Sequence, residues 1–114
     1  MEHPKRGEVW LTDFEPAVGS EIKKQRPALI VSNDIFNRKT SKVTVLPLTS
    51  QVKPLPITVV VQPDKKNNLD KPSLIKIPDI STFDKARLQK KLGIVNDSIL
   101  KDVDKKLKTH LGIQ

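Results

Sequence analysis

The chain has 114 residues, enough for a single domain with one modest hydrophobic core. Its 21 Lys and Arg residues against 13 Asp and Glu give a formal net charge of +8. This charge favours a polyanionic partner such as RNA, DNA or an acidic protein segment, although a generally Lys-rich surface produces the same balance. The absence of cysteine excludes disulfides, thiol nucleophiles and thiolate metal sites. No apolar stretch approaches membrane-spanning length and no signal segment opens the chain, so we expect a soluble, cytoplasmic protein with no membrane contact.

The first half of the chain predicts short strands separated by polar loops. Residues 7–14 alternate well enough for a first strand. Its single tryptophan, Trp10, is either a core or interface anchor or a base-stacking group. Residues 15–25 predict a long loop, of a length that often carries function. The continuous apolar run 28–31 predicts a strand buried on both faces, which Pro27 can open but could not occupy in the middle.

Further strands follow a polar connection at 32–38, which has room for one helical turn. Residues 43–48 predict a third strand, and Pro47 near its end indicates an edge or a bulge. The β-branched run 57–61 predicts a fourth strand. After a polar turn region, residues 73–77 predict a fifth strand, which Pro78 ends.

The C-terminal part predicts one short turn over 81–87, a last strand over 88–95 and then a helix. Asn96 is a suitable N-cap and Gly112 a suitable C-terminal cap for that helix. Helical spacing is followed by Ile99, Leu100, Val103, Leu107 and Leu111. About five or six short strands with one closing helix indicate a mainly β fold: a small, strongly curved antiparallel sheet or barrel forming a single domain over 1–114.

Most familiar catalytic signatures are missing from the sequence. It contains no Gly-rich phosphate loop, no nucleophile elbow and no cluster of His or carboxylates at metal-ligand spacing. His3 and His110 are the only residues able to form a histidine acid–base pair, and they lie near opposite ends of the chain, where positioning is poor. We therefore look for chemistry that needs neither a metal nor a protein nucleophile.

Arg26 precedes one buried strand, and Thr49 and Ser50 follow the next. If these strands are neighbours, the three side chains converge at one end of the sheet. A guanidinium beside two hydroxyls suits a phosphodiester that passes through a five-coordinate, more negative transition state. RNA supplies its own nucleophile, the 2′-hydroxyl. Arg-Pro before a strand and Thr-Ser after one are also ordinary local signals, so the residues alone leave both interpretations open.

Considered together, five stretches resemble the MazF/PemK toxin family of toxin–antitoxin systems. They are Arg6–Trp10, Gly19–Glu21, Gln25–Ser32, Val45–Ser50 and Ile80–Leu88, and the resemblance covers nearly the whole chain. It implies an SH3-like barrel of about five to seven strands, of the kind shared by MazF, Kid and the gyrase poison CcdB, and a homodimer. It also implies cleavage of single-stranded RNA without metal or cofactor, leaving a 2′,3′-cyclic phosphate and a 5′-hydroxyl.

The resemblance also implies roles for individual residues. Arg26 and Thr49 match the family's catalytic Arg and Thr. Glu21 matches an acidic residue that acts as general base or positions RNA. We further expect RNA contacts, to phosphates or by base stacking, from Lys23, Lys24, Ser50 and Phe14. Ser81 stands where many relatives have Arg, which is expected to remove a cation from the groove.

The leading hypothesis is therefore a sequence-selective endoribonuclease toxin neutralised by an antitoxin with an acidic tail. An alternative is a non-enzymatic toxin that inhibits gyrase with the same barrel. That function does not require Arg26 and Thr49 to lie close together. A third interpretation is an RNA-binding domain without activity. Cleavage of RNA, inhibition of supercoiling and binding without cleavage distinguish the three.

Overall fold

The computed structural model describes residues 3–14 and 24–114. This part of the chain forms seven β-strands and two α-helices. They are β1 (Glu8–Phe14), β2 (Lys24–Ile30), α1 (Asp34–Lys39), β3 (Lys42–Thr49), β4 (Thr58–Val61), β5 (Ser73–Lys76), β6 (Ser81–Asp84), β7 (Leu88–Ile94) and α2 (Asp97–Leu111). Short 3₁₀ turns, Ile77–Asp79 and Lys85–Arg87, flank β6. None of the helices in these residues is long and apolar enough to cross a membrane.

All strand pairs are antiparallel, and β3 is the strand on which the sheet is organised. The strand order is β4-β5-β3-β2-β1-β7, with β6 also paired to β3. One edge of β3 pairs with β2; the other edge pairs first with β6 and then with β5. The mainly β architecture with a C-terminal helix is therefore confirmed, and the strand count is seven.

Pro47 lies at the point where β3 changes partners. Pairing with β6 ends at Val45, and pairing with β5 begins at Leu48. On the other edge Pro47 is opposite Ala28 of β2. The amide hydrogen that proline lacks is not needed here, because residues 46 and 47 have no strand partner on the edge of β3 that β6 and β5 share. The local irregularity that Pro47 predicts is present, but in the interior of an eight-residue strand.

Two expectations about local structure are wrong. Residues 81–84 form β6, because Thr82 and Phe83 extend along β3 opposite Thr44 and Val43. Strand β2 begins at Lys24, so Pro27 is its middle residue and not its first. The ladder between β2 and β3 begins only at Ala28, so the donor that proline lacks interrupts no bond to β3. Residue 26 consequently lies within a strand that is paired to β1.

The main core lies between one face of the sheet and α2. Asn96 caps the helix by accepting a hydrogen bond from the Ile99 amide (2.9 Å), and Gly112 ends it with φ of 72°. Fully buried Val103 is the innermost helical residue, and the partly buried members of the predicted stripe pack around it. The buried residues of this core are Val9, Leu29, Leu46, Leu48, Val59, Val61, Leu69, Ile75, Ile77, Val95 and Val103.

A second, smaller cluster covers the opposite face of the sheet. Its buried members are Ala28, Ile30, Val43 and Val45, with Trp10, Phe14, Phe83 and Leu88 packed against them. The Trp10 indole donates a hydrogen bond to Glu8 Oε1 at 2.9 Å. Lys91 forms an ion pair with the other oxygen of Glu8 at 3.0 Å. These contacts favour the anchor role for Trp10 over base stacking.

Arg6 connects the start of the chain to two distant elements. Its Nε donates to the Val31 carbonyl at 3.0 Å, and its guanidinium forms an ion pair with Asp104 of α2.

We expect Arg6→Ala to lower the free energy of unfolding by about 1–2 kcal/mol, because charge-assisted bonds are lost from a half-exposed site. Urea denaturation measures this. Exposed Lys5→Ala, the matched control, is expected to change stability by less than ~0.5 kcal/mol; equal effects of both variants would contradict the role.

Candidate functional site

A groove of about 610 Å³ opens across the end of β2, β3 and β5. The strands contribute Arg26 from β2, Thr49 from β3 and Ser73 from β5. Other residues of these strands also line the groove, and the remainder comes from the segments between β3 and β4 and between β4 and β5. Among the residues that the structure describes, the lining is Gln25, Arg26, Pro27, Leu48, Thr49, Ser50, Gln51, Lys53, Leu55, Leu69, Asp70, Lys71, Ser73 and Lys76.

Strand register explains why Arg26 and Thr49 share this groove. Ala28 of β2 is opposite Pro47 of β3. Continuing that antiparallel register by two residues sets Arg26 opposite Thr49. Side chains two positions apart on a strand lie on the same face, so both project from the face that carries Ala28. The convergence expected from two strand ends is therefore present, although Arg26 lies inside a strand and not on a loop.

The Thr49 hydroxyl is oriented by the turn that follows β3. Its Oγ1 accepts a hydrogen bond from the Gln51 amide at 3.2 Å. This bond uses a lone pair of the oxygen and not the hydroxyl proton, so the proton can be donated into the groove. Thr49 is half-buried, which restricts its rotamers further. The arrangement presents a fixed neutral donor beside a guanidinium.

The groove carries more positive than negative charge. Arg26, Lys53, Lys71 and Lys76 line it, and Asp70 is the one carboxylate among the described lining residues. Only Lys76 has an ion-pair partner among these cations within 3–14 and 24–114: Asp79, at 3.0 Å. A concave site with unpaired cations attracts and concentrates anions.

The other sequence-predicted site residues are distributed unequally. Ser50 lines the groove and is exposed. Phe14 does not line it; its ring packs edge-on against Phe83, with centroids 5.8 Å apart, in the smaller hydrophobic cluster. Glu21 and Lys23 lie outside the described residues, as does the side chain of Lys24, whose backbone pairs with Phe14 in β1.

The sequence interpretation missed Lys53, Asp70 and Lys71. They belong to polar segments whose sequence predicts only turns. No local signal in these segments indicates that they lie beside the ends of strands distant in the chain. Ser81 is exposed and donates to the Asp79 carbonyl, and it is not among the residues that line the groove. Serine in place of arginine at position 81 therefore removes no positive charge from the groove as it is formed within a single chain.

Neither histidine lies at the groove, since His3 and His110 are both exposed and absent from its lining. Among residues 3–14 and 24–114 there is no group of three or more His, Cys, Asp or Glu side chains able to hold a metal ion. What the described groove offers is a guanidinium, hydroxyls and amines. These groups bind and stabilise oxyanions.

Comparisons with known proteins agree with this geometry. The structure of MazE-MazF from Deinococcus radiodurans is similar to this chain with a TM-score of 0.85 at 25% identity, covering 100% of both chains. An endoribonuclease in complex with its cognate antitoxin, from a mycobacterial species, is 30% identical with a TM-score of 0.77, covering 100% of this chain and 98% of that one. The family model described as PemK-like, MazF-like toxin of type II toxin–antitoxin system matches residues 5–111. The chain therefore belongs to the PemK-like, MazF-like toxin family.

Proposed function

We propose that this toxin is a sequence-selective endoribonuclease that cleaves single-stranded RNA without a metal ion. The observation that carries the proposal is that Arg26 and Thr49, from the neighbouring strands β2 and β3, line one cationic groove. The chain's similarity to proteins named as endoribonucleases supports the same activity. A purely structural role would not require a guanidinium that lines the groove and has no ion-pair partner within residues 3–14 and 24–114.

In the proposed reaction the RNA 2′-hydroxyl loses its proton and its oxygen attacks the adjacent phosphorus. The phosphorane that forms carries more negative charge on its non-bridging oxygens than the diester. Arg26 stabilises that charge by donating two parallel N–H bonds, and Thr49 donates its hydroxyl proton to a phosphate oxygen or to the 2′-oxygen. Interactions that strengthen as charge develops are the ones that accelerate the step.

The second half of the step breaks the bond from phosphorus to the 5′-oxygen. That oxygen leaves with a proton, which Arg26 or solvent provides, and the products are a 2′,3′-cyclic phosphate and a 5′-hydroxyl. No water is consumed. We propose Glu21 as the general base for the 2′-hydroxyl and Lys23, Lys24 and Ser50 as contacts to the RNA backbone. We also propose Phe14 as a base-stacking residue outside the lining of the groove, where its ring packs against Phe83.

We further propose a cytoplasmic homodimer that is held inactive by an acidic antitoxin. Structural relatives at 25% and 30% identity are named as complexes with an antitoxin. The net charge of +8 and the cationic groove favour an acidic segment as the contact. An antitoxin segment occupying this groove would exclude RNA by direct competition.

The decisive experiment incubates the purified protein with a long single-stranded RNA in excess EDTA and determines the chemistry of the new ends. We expect cuts at a restricted set of sequences, with cyclic phosphate on the upstream fragment and 5′-hydroxyl on the downstream one. Cleavage that requires added Mg²⁺, or 5′-phosphate ends, would contradict the mechanism. Inhibition of gyrase supercoiling with intact RNA would instead support the non-enzymatic alternative.

A further inference from the structure

We propose that Asp70, Lys71 and Lys53 form a second nucleotide subsite, which binds the residue next to the scissile phosphate and discriminates against uracil. We call these three residues the far wall of the groove. The inference rests on the proposed function and deepens it, because it assigns sequence preference to residues outside the catalytic pair. A groove of about 610 Å³ is in the size range of pockets for whole drug-sized ligands, far more than one phosphate requires.

Asp70 and Lys71 of the far wall lie on the opposite side of Thr49 from Arg26, and Lys53 lines the same groove from the segment after β3. Strand β3 is between β2, which carries Arg26, and β5, which pairs Leu74 with Thr49. Two strand spacings separate β2 from β5, about 10 Å at the backbone. Asp70 and Lys71 lie three and two residues before the start of β5. An RNA chain centred on Arg26 and Thr49 therefore has its neighbouring nucleotide at the far wall.

This wall is held in place by the core beneath it. Leu69 is a member of the main core, and its amide donates to the Asn67 side chain at 3.0 Å. Asn67 is itself buried, and its Nδ2 donates to the Gln62 carbonyl at 2.9 Å. Ser73 Oγ donates to the Lys71 carbonyl at 3.1 Å. The backbone of Asp70 and Lys71 is thus fixed on both sides, as a recognition surface requires.

The two lysines supply phosphate contacts. Lys53 and Lys71 are exposed, line the groove and have no ion-pair partner among the residues that the structure describes. Each phosphate that such a cation neutralises on a single strand releases counterions and contributes about 0.7 to the slope of log affinity against log salt. These contacts fix the register of the RNA but read no sequence.

Asp70 has the opposite effect on the RNA. A carboxylate repels phosphate, so it forces the chain to present a base edge at that point. Adenine, cytosine and guanine each offer an exocyclic amino group that donates to a carboxylate, whereas the one donor on the Watson–Crick edge of uracil, N3–H, is flanked by two carbonyl oxygens that the carboxylate repels. A well-placed contact of this kind discriminates between bases by roughly tenfold. We therefore expect uracil to be depleted at one position beside the cut.

The test sequences the cut sites in a randomised RNA pool for the wild-type protein, Asp70→Asn and Lys71→Ala. We expect a roughly tenfold depletion of uracil at one adjacent position in the wild type, which Asp70→Asn abolishes. Lys71→Ala is expected to leave the base preference unchanged, weaken binding evenly and reduce the salt slope by about 0.7.

Two variants away from the groove serve as controls. Lys65→Ala removes an exposed lysine from the same chain segment, and Asp102→Asn removes an exposed carboxylate from α2. Both are expected to behave as the wild type. Cleavage with an unchanged preference in Asp70→Asn overturns the subsite and leaves the nuclease proposal standing. No cleavage of any RNA by the wild type overturns both proposals.

Discussion

Arg26→Ala is expected to slow RNA cleavage by about 10²–10³-fold without loss of fold. The guanidinium is the only charged group that the register sets opposite the Thr49 hydroxyl in the groove. Its removal takes away the main stabilisation of the charge that develops on phosphorus. Within residues 3–14 and 24–114 the Arg26 side chain has no ion pair, so the substitution breaks none there. Single-turnover cleavage of a short RNA measures the effect.

Two further variants separate charge from geometry. Arg26→Lys keeps the positive charge but loses the planar pair of donors, so we expect it to recover only part of the activity. Thr49→Val keeps the shape of the side chain and removes the hydroxyl. Residues that act on one transition state are not additive, and the double variant Arg26→Ala with Thr49→Val is expected to lose less than the product of the single losses. Full additivity, or unchanged activity in Arg26→Ala, would refute the paired role.

Gly93→Ala is expected to destabilise the protein by about 3 kcal/mol. Strand β7 passes directly beneath the turn over 64–68, and a Cβ at Gly93 would lie 2.0 Å from the Lys66 carbonyl oxygen. That carbonyl also accepts the Ile94 amide at 2.9 Å, so neither backbone can retreat without breaking a bond. The melting temperature should fall by roughly 10 °C.

Gly112→Ala is the matched control. Its Cβ would meet nothing within 4 Å, but its φ of 72° is left-handed. The expected cost is therefore only about 1 kcal/mol, from backbone strain at the end of α2. Thermal unfolding of both variants in the same buffer distinguishes a steric clash from loss of conformational freedom. A smaller shift for Gly93→Ala than for Gly112→Ala would show that the turn is not docked as described.

The elements that sequence patterns predict well are those specified by their own residues. The helix α2 has its cap, its apolar stripe and its terminal glycine within one segment, and its observed bounds follow them. The β-branched run of β4 behaves likewise. Strand β6 was missed because its extended form depends on pairing with β3, nearly 40 residues away in the chain. No local pattern encodes such a partner.

The residues of the candidate site likewise fall into two groups, those that the sequence predicts and those that it does not. Arg26 and Thr49 were predicted because each borders an apolar run, and the resemblance to a known family indicated that they belong together. Asp70 and Lys71 were not predicted, because their position depends on how Leu69 is buried and on which strands precede and follow them. Burial of a single leucine inside a polar segment is too weak a signal to locate a binding surface.

The groove is formed partly by paired strands and partly by connecting segments, and these two parts differ in how freely their residues can change. The reactive pair is built on a ladder whose register cannot slip without exposing the core. The segments around Lys53 and Asp70 tolerate substitution, since their side chains are exposed. If the proposed subsite sets the sequence preference, exchange of these surface segments alone changes the target sequence, and the fold becomes a practical scaffold for engineering ribonucleases of chosen specificity.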